Sequence, residues 1–565
     1  MSIPQSCTVL VVGGGPAGSY TASVLAREGV DVVVLEADHF PRYHIGESML
    51  ASMRHFLRFI DLEKTFDNYG FQIKASNGAA FKFNNKRPGY TDFLAINGPN
   101  GYSWNVIRSE SDKLMLDHAE ASGAHTFQGV KVESIQFVPA PDFPEDEKLA
   151  NPGRAVSVAW SRKTDGTTGS ITFDYLVDAS GRNGILSTRY LKNRKFNKAL
   201  QNMAYWGYWK GAKPYAPGTP EEGAPLSEAL TDQSGWCWAI PLHDGTLSVG
   251  IVMRQDLLVA RKRALGSPSP AELYQDCLAL APNIHGRLSE AEFVSTAIKT
   301  GSDWSYSASS YAGPNFRLVG DAGCFIDPYF SSGVHLALAG GLSAAMTIQA
   351  SRRGECSEFQ AAKWHSAKVA ESYSRFLLVV MTALRQIRRG EEPVLSDFDE
   401  DGFDKAMGFF RPIIQGLADA DVGGKLTQNL VEKTVEFCFH AFDDVAPDAR
   451  EKVLGKLNPD RIETQEDLER LNEDELVMLR TIRARQILRT EDFMNIDNFS
   501  QDAVDGFVPR LIRGNLGLAK VASRNAAPAY SEGLFDAIPS VDDTVTNINS
   551  EAKPEGAVQA GEVKA

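Results

Sequence analysis

The segment that most constrains how this chain folds is TVLVVGGGPAGSYTASVLAREGVDVVVLEA, residues 8–37. It begins with branched apolar residues typical of a buried strand, continues through a glycine-rich turn into a helix pattern, and ends in a second apolar strand. Strand, turn, helix and strand in this order predict a βαβ unit with two parallel strands. We therefore expect an α/β fold that starts as a doubly wound, Rossmann-like sheet.

The turn inside this unit has the glycine spacing of a dinucleotide-binding site. Its predicted cofactor-binding residues are Gly13, Gly14, Gly15, Ala17 and Gly18. Glycines here permit a tight turn, close approach of a pyrophosphate and close packing of helix on strand, and the helix start offers free amides to the phosphates. Glu36 ends the next strand, where its carboxylate can accept a hydrogen bond from a ribose hydroxyl. Either NAD or FAD could bind at this segment.

The composition argues against several other functions. The 565 residues carry a formal net charge of −14 and no basic run interleaved with aromatic residues, so we expect a small-molecule partner and no nucleic acid. The six cysteines have neither Cys-x-x-Cys nor zinc-type spacing, which predicts no metal site and a reducing compartment. The apolar run FLLVVMTAL at 376–384 is too short to cross a bilayer. With a start that lacks a basic leader pattern, these features predict a soluble cytoplasmic protein without a membrane partner.

Three later segments resemble the FAD enzymes of the aromatic-hydroxylase superfamily. FRLVGDAGCFIDPYFSSGVHLALAGG at 316–341 is similar to their distal flavin motif, DYLVDASG at 174–181 to their intermediate motif, and the segment around Arg108 to that of their flavin-side arginine. The resemblance implies FAD as the cofactor, with Asp321 at a ribityl hydroxyl and Val334 contacting the flavin through its backbone. It also implies a helix that begins near residue 333 and faces the isoalloxazine ring.

The run GWCWAIP at 235–241 indicates one branch of this superfamily. By themselves, Trp236 and Trp238 at alternate positions before Pro241 are typical of a half-buried strand that ends at the proline. Beside the FAD motifs, the run resembles the WxWxIP signature of flavin-dependent halogenases, and YHIGESML, with Glu47, resembles their GES segment behind the flavin. The resemblance implies that the two indoles form a wall between substrate and the flavin hydroperoxide.

The same resemblance implies a halide site and a catalytic lysine. Chloride is expected at Ser332 and Gly333, where a helix start favours a small anion. In this family chloride attacks the flavin hydroperoxide, and the hypochlorous acid travels through a tunnel to the lysine, here Lys74, which holds electrophilic chlorine beside the substrate ring. Tryptophan halogenases carry a glutamate at the position of Phe330. The chain is therefore more similar to the phenolic branch, in particular to fungal radicicol-type enzymes that chlorinate resorcylic acid lactones.

The chain is expected to contain one large module followed by a helical region. Residues 1–350 are predicted to form the FAD-binding halogenase module, in which a substrate-side β-sheet is interleaved with the cofactor-binding segments. The cofactor-binding segments are about 1–65, 100–200 and 310–350, and the substrate-side segments are about 65–100 and 200–310. Helical spacing of apolar residues, seen also in segments of 400–525, predicts a helical region over 351–540. The polar end, 541–565, is predicted to be disordered.

The resemblance implies an enzyme that uses reduced FAD, oxygen and chloride to chlorinate an electron-rich phenol of polyketide or macrolactone type. No second dinucleotide fingerprint is found, so the resemblance implies a separate NAD(P)H-dependent flavin reductase. Two alternatives stay open: an aromatic hydroxylase that oxidises NAD(P)H itself, and a non-catalytic flavin-binding regulator. A prenyl reductase would need a membrane-facing segment, which the short apolar runs do not supply. His243 follows the tryptophan strand, but no pattern selects a base for the phenol.

Overall fold

The structure is a computed structural model that describes residues 2–74, 79–82, 89–91, 102–144, 146, 149–388, 452–453, 456, 471–472, 475–476, 478–479 and 504–520. The chain divides into two compact units, residues 1–424 with 489–526 and residues 425–488 with 527–565. The helices and strands named below belong to the first unit.

The elements alternate between strands and helices in the first third of the chain and are mainly strands in the second. The strands are β1 (Ser6–Val12), β2 (Val32–Glu36), β3 (Gln72–Lys74), β4 (Ala79–Lys82), β5 (Gly89–Thr91), β6 (Ser103–Asn105), β7 (His125–Gln128), β8 (Val130–Val138), β9 (Arg154–Arg162), β10 (Thr168–Asp178), β11 (Arg194–Lys210), β12 (Leu226–Ala229), β13 (Gly235–Pro241), β14 (Thr246–Arg254), β15 (Glu292–Phe293), β16 (Lys299–Ala308), β17 (Ala312–Gly313), β18 (Phe316–Leu318), β19 (Phe507–Arg510) and β20 (Gly517–Lys520). The helices are α1 (Pro16–Arg27), α2 (Met53–Phe59), α3 (Glu63–Tyr69), α4 (Arg108–Ala121), α5 (Gln255–Ala264), α6 (Pro270–Leu278), α7 (Pro282–Arg287), α8 (Gly333–Arg352) and α9 (Glu358–Arg388).

The first sheet is built around the predicted βαβ unit. Its strand order is β17-β18-β10-β1-β2-β7, and β1 lies parallel to both β10 and β2. Val9 and Val11 share an apolar cluster with α1 and α8, whereas Leu10 and Val12 pack into a second cluster on the other face. Because both faces are covered, β1 is continuously apolar and does not alternate with polar residues. The predicted α/β, Rossmann-like fold is confirmed.

The second sheet is mainly antiparallel and is interleaved with the first along the chain. Its order is β15-β11-β14-β13-β12-β4-β5, with β16 also paired to β11. One face carries Trp206, Trp236 and Trp238, which join the apolar cluster that contains Leu10 of the first sheet. The opposite face packs against α6 through residues such as Leu273. The tryptophan face of this sheet is therefore the face turned toward the first sheet.

Helix α8 runs through the core of the first unit. It begins at Gly333, as the sequence predicts, and every residue from His335 to Ala350 is buried. Among the described helices, α8 is long and apolar enough to span a bilayer, but 89% of its most apolar window is buried inside the protein. Such burial is characteristic of a core helix.

The region after residue 350 contains α9 and a hairpin formed by β19 and β20. Leu516 and Leu518 of the hairpin join the cluster that contains α1 and α8, and Trp364 Nε1 donates to the Phe507 carbonyl at 3.1 Å. Strands therefore accompany helix in the region that the sequence predicts to be helical. Most of the predicted helical segments in 400–525, and the tail 541–565, lie outside the described residues, so the domain boundaries stay a prediction.

The second compact unit is described at a small number of residues. Val453, Leu471 and Leu479 form a small apolar cluster. Lys456 Nζ lies 2.6 Å from the Glu475 carboxylate. Because the lysine is partly exposed, this ion pair adds little to stability.

Candidate active site

The turn between β1 and α1 is shaped by close backbone contacts. A Cβ at Gly18 would lie 1.9 Å from the Gly13 carbonyl oxygen, and Gly13 itself has a φ of +106°. A larger residue at either position would push the helix away from the turn or strain the backbone. Helix α1 starts with Gly15 as its N-cap and Pro16 as its first residue, which leaves the amides of the first turn available to a ligand. This geometry fits the pyrophosphate of a dinucleotide.

Glu36 closes the turn from the second strand. Its Oε2 accepts a hydrogen bond from the Gly14 amide at 2.6 Å, and its Oε1 accepts one from the Asp38 amide at 2.8 Å. The carboxylate is buried between these two amides, which fixes its position beside the turn. A carboxylate accepts up to four hydrogen bonds, so the predicted ribose contact is compatible with both.

Two arginines lie beside this turn, and only Arg108 was predicted from the sequence. Arg108 donates to both oxygens of Asp112, at 2.8 and 3.0 Å, and to the carbonyl of Gly46 at 3.2 Å. Arg42 reaches the same Asp112 at 3.2 Å, and its Nη2 would be 3.3 Å from a Cβ at Gly15. One buried carboxylate therefore orients two cations next to the turn, where an anionic cofactor would bind. The nearest sequence signal for Arg42 is its position four residues before Gly46, where the GES motif begins.

Asp321 occupies the turn that follows β18, on the same edge of the sheet as the glycine turn. Strands β1 and β18 both lie parallel to β10, so their carboxyl ends meet at one edge. Gly320 approaches α1 closely, since a Cβ there would be 3.1 Å from the Ala17 side chain. Burial raises the pKa of Asp321, against the opposing charges of Arg182, Arg108 and Arg194. The glycine turn and the Asp321 turn, both predicted to contact FAD, therefore lie at the same edge of the first sheet.

The residues predicted to bind halide lie at the start of α8. Ser331 adopts a left-handed conformation, with a φ of +57°, and Ser332 is the N-cap of α8. Ser332 is fully buried, and its Oγ has no hydrogen-bond partner in the part of the chain that the structure describes. A Cβ added at Gly333 would meet no atom within 4 Å. A buried hydroxyl and an open helix start are features that suit a small anion. Val334 is partly buried in the first turn of this helix.

Trp236 and Trp238 lie on the same face of β13, as their alternation predicts. They are 3% and 7% exposed, with ring centroids 5.9 Å apart. Trp236 meets the ring of Tyr329 edge to face at 4.9 Å, three residues before the predicted halide serine. Trp238 packs against Trp206 at 6.4 Å. Both tryptophans are therefore part of the core, and Trp236 also packs against the segment that leads into α8.

Two residues of β14 support Trp238, and neither was predicted from the sequence to do so. Ser248 Oγ accepts a hydrogen bond from Trp238 Nε1 at 3.2 Å. Gly250 is directly opposite Trp238 in the strand register, and a Cβ there would lie 2.1 Å from the indole. A glycine inside a strand pattern is the available signal for such a close approach.

Glu47 is buried at the junction of these groups. Tyr208 donates a hydrogen bond to its Oε1 at 2.7 Å. Burial raises the pKa of Glu47 from 4.5 to about 7, although Ser248, Tyr208 and Arg108 all favour the carboxylate. The residue predicted to lie behind the flavin is therefore a buried carboxyl that titrates near neutral pH.

Lys74 lies at the end of β3, and its side chain is outside the described part of the structure. Its backbone pairs with Ser103 of β6. Asn105, two residues further along β6, donates to the Pro241 carbonyl at 3.1 Å, so β6 contacts the end of the tryptophan strand. His243 Nε2, just beyond that strand, is 3.1 Å from the Glu110 carboxylate.

Comparisons with known proteins point to one family. The sequence profile of a family described as Tryptophan halogenase matches residues 8–96 and 100–380. The sulochrin halogenase gedL of Aspergillus terreus (strain NIH 2624 / FGSC A1156) is 57% identical over 553 residues, which cover 97% of this chain and 99% of the relative. The flavin-dependent halogenase ascD of Acremonium egyptiacum is 54% identical over 98% of this chain and 99% of its own.

A solved structure supports the same assignment. The myxobacterial chondrochloren halogenase CndH, an FAD-dependent halogenase, is similar with a TM-score of 0.61 at 27% identity, over 77% of this chain and 97% of its own. The predicted resemblance to fungal flavin-dependent halogenases is confirmed, with FAD and chloride as cofactors, and it sets aside the hydroxylase and regulator alternatives. The chain belongs to the tryptophan halogenase family and is an FAD-dependent halogenase that acts on a small molecule.

Proposed function

We propose that this halogenase chlorinates an electron-rich phenol, of polyketide or macrolactone type, with hypochlorous acid that reaches the substrate at Lys74. The observation that carries the proposal is the contact of Trp236 with Tyr329 at 4.9 Å, directly before the start of α8. A wall at this point would separate a halide-oxidising site at α8 from the substrate. A hydroxylase needs the opposite arrangement, because its substrate must touch the oxidised flavin.

Residues of two segments would hold the cofactor. The turn from Gly13 to Gly18 would bind the pyrophosphate, with Arg42 and Arg108 providing positive charge, and Asp321 would contact the ribityl chain. Bound FADH2 would supply two electrons that activate oxygen, and the activated oxygen would oxidise chloride to hypochlorous acid. We further propose that a separate flavin reductase supplies the FADH2, because the sequence carries one dinucleotide fingerprint.

Chloride would bind at the start of α8. The Ser332 hydroxyl is buried with no described partner, so an anion there would satisfy a donor that is costly to leave unpaired. The first amides of α8 add the positive end of the helix dipole. The open space at Gly333 allows the anion to approach the backbone.

A phenol is the substrate class that requires least activation. Phe330 occupies the position where tryptophan halogenases carry a glutamate, and its ring packs against Tyr329 at 4.9 Å and Phe81 at 5.7 Å. An apolar group there offers no charge to activate an indole, whereas a phenol is already electron-rich. The name of the relative gedL, a sulochrin halogenase, supports a small-molecule acceptor in fungal secondary metabolism.

The test of this proposal is a comparison of Lys74→Ala with the unchanged enzyme, supplied with a flavin reductase, FAD, oxygen, chloride and a panel of phenols. If Lys74 holds the electrophilic chlorine, the variant should oxidise FADH2 at a near-normal rate and lose chlorinated product by about 100-fold or more. Lys74→Arg should fail as well, because a guanidinium keeps the charge but forms a chloramine poorly. Product is read by mass spectrometry as the chlorine isotope doublet.

Lys131→Ala is the matched control, since the side chain of this lysine on β8 is 43% exposed. A thermal melt of each variant checks that folding is unchanged. Full chlorination by folded Lys74→Ala would contradict the role of the lysine. Hydroxylated phenol formed from NADH alone by the pure protein would instead favour a hydroxylase.

We also propose a cytoplasmic location. It is supported by buried cysteines that are free thiols, namely Cys7, Cys237, Cys277, Cys324 and Cys356.

A further inference from the structure

A chain of hydrogen bonds connects the protein surface to the buried carboxyl of Glu47. Trp206 Nε1 donates to Tyr43 Oη at 2.6 Å, Tyr43 Oη and Tyr208 Oη are 2.9 Å apart, and Tyr208 Oη donates to Glu47 Oε1 at 2.7 Å. Because the Tyr208 proton points to Glu47 and Tyr43 accepts from the indole, the Tyr43 proton is left to point to Tyr208. All the donors therefore run in one direction, toward the carboxyl. We call Tyr43, Tyr208 and Glu47 the tyrosine–glutamate chain.

The two ends of this chain have opposite environments. Tyr43 is 49% exposed, whereas Glu47 is 3% exposed. Tyr208 lies between them and is partly buried. Protons pass readily along hydroxyl groups that are already hydrogen-bonded in line, so the chain offers a route from solvent to a carboxyl that water does not reach.

The groups around the chain allow the carboxyl to change its protonation state near neutral pH. The pKa of Glu47 is raised to about 7, mainly by burial and also by the charge of Asp244, although Ser248, Tyr208 and Arg108 act to lower it. Burial also raises the pKa of Tyr208 and of Tyr43, so both phenols keep their protons at neutral pH. A charged group also lies at the surface end: Lys299 Nζ is 4.0 Å from the ring centre of Tyr43.

The second oxygen of Glu47 is available to pass a proton on. Ser248 lies near enough to affect the pKa of the carboxyl, but Oε2 makes no geometrically acceptable hydrogen bond to any described residue. The same Ser248 accepts a hydrogen bond from Trp238. Arg108, which binds the carbonyl of Gly46, adjoins the carboxyl on the cofactor side. The inner end of the chain is therefore next to residues that we assign to the cofactor and to the wall.

The halogenation reaction requires such a supply of protons. Its balance is FADH2 + O2 + Cl⁻ + H⁺ + ArH → FAD + ArCl + 2 H2O, so one proton must enter the site from solvent in each turnover. The oxidant is oxygen and the two-electron donor is FADH2, both of which belong to the flavin-dependent halogenase reaction. This balance holds for any C–H acceptor and does not depend on the phenolic substrate.

We propose that the tyrosine–glutamate chain delivers the proton that halogenation consumes. Tyr208 gives its proton to the Glu47 carboxylate, Tyr43 gives its proton to Tyr208, and solvent restores the proton of Tyr43. Glu47 then releases its proton into the active site, and rotation of the two hydroxyl groups resets the chain. No bond other than O–H forms or breaks, and no electrons move.

The test uses Tyr43→Phe and Tyr208→Phe, with Tyr205→Phe as the matched control on the same strand. Tyr205 lies beside the apolar cluster on the opposite face of the second sheet, away from Glu47. We expect each chain variant to lower the chlorination rate by about 100-fold, to increase the solvent deuterium isotope effect, and to be rescued by a small weak acid such as formic acid. Tyr205→Phe should keep the normal rate, isotope effect and insensitivity to formic acid.

An infrared titration of the protein without cofactor or substrate provides a second readout. The carboxylic acid band that Glu47→Gln removes should titrate near pH 7 in the unchanged protein, because burial raises the pKa of Glu47 to about that value. Tyr208→Phe should move the midpoint upward, because it removes a donor that stabilises the carboxylate, whereas Tyr43→Phe should leave it nearly unchanged.

Two results would overturn the proposal. One is normal chlorination without acid rescue or isotope effect in folded Tyr43→Phe, which decides the question even if Tyr208→Phe fails to fold. The other is a Glu47 band that titrates below pH 5. If the unchanged enzyme chlorinates a non-phenolic acceptor only, the phenolic proposal fails, but the same variants still test proton delivery on that acceptor.

Discussion

The glycine turn after β1 and the tryptophan face of the second sheet are built in opposite ways. The turn owes its shape to side chains that are missing, since a Cβ at Gly18 would overlap the Gly13 carbonyl. The tryptophan face owes its shape to large side chains from separate strands, such as Trp206 on β11 and Trp238 on β13. A site made by missing side chains is encoded in one short segment. A site made by packed side chains needs partners that are distant in sequence.

The largest effect is expected in the glycine turn. Gly18→Ala would bring a Cβ to 1.9 Å from the Gly13 oxygen and 3.1 Å from the Ala179 side chain. Overpacking of this kind costs roughly 1–3 kcal/mol after the neighbours shift. We therefore expect FAD affinity to fall about tenfold to a hundredfold, measured by fluorescence titration of the apoprotein.

Gly333→Ala is the contrasting variant for this prediction. A Cβ there has no neighbour within 4 Å, so FAD affinity should be retained. The chloride concentration needed for half-maximal chlorination should rise, because the added methyl group occupies space at the proposed halide site. Equal loss of FAD in both variants would contradict the proposed difference between the two helix starts.

A smaller effect is expected on the tryptophan face. Trp236→Phe removes part of a buried ring that touches Tyr329, and Trp209→Phe removes part of a similarly buried ring on the other face of the same sheet. Both should lower stability by about 1–3 kcal/mol. Only Trp236→Phe should reduce the fraction of consumed oxygen that appears as chlorinated product, measured with an oxygen electrode and mass spectrometry. Equal coupling in the two variants would leave Trp236 with a packing role alone.

The last expected effect concerns the pH dependence of stability. The pKa of Glu47 is raised by burial from 4.5 to about 7, so its contribution to stability is complete below pH 4.5 and is lost as pH rises through about 7. Relative to Glu47→Gln, the unchanged protein should lose on the order of 3 kcal/mol of unfolding free energy between pH 4.5 and 8. Urea unfolding of both proteins across this range measures the difference. A constant difference would show that Glu47 titrates as an ordinary carboxyl.

The regular elements near the site could be predicted from local sequence. The apolar run of β1, the glycine spacing, the alternating tryptophans of β13 and the start of α8 at Gly333 each depend on residues within a few positions of one another. Sterics at a glycine turn and alternation along a strand act over that distance, so one segment is enough to recognise them. The specific chemistry at these segments came from their resemblance to known flavin enzymes.

Contacts between segments could not be predicted in the same way. The sequence suggested Glu36 as a ribose acceptor, and its bonds to the Gly14 and Asp38 amides appeared only in the structure. Arg42 gave no signal of its own, because its role depends on Asp112, which lies 70 positions away.

What the sequence by itself determined is the order of strands and helices, the glycine turn and the family to which its motifs are similar. Only the tertiary structure decided that Tyr208 meets Glu47 across 161 positions and that Gly250 makes room for Trp238. The physical reason is that burial and hydrogen bonding depend on which strands become neighbours. Glu47 is an ordinary carboxylate in the chain and acquires a pKa near 7 only when the fold removes it from water.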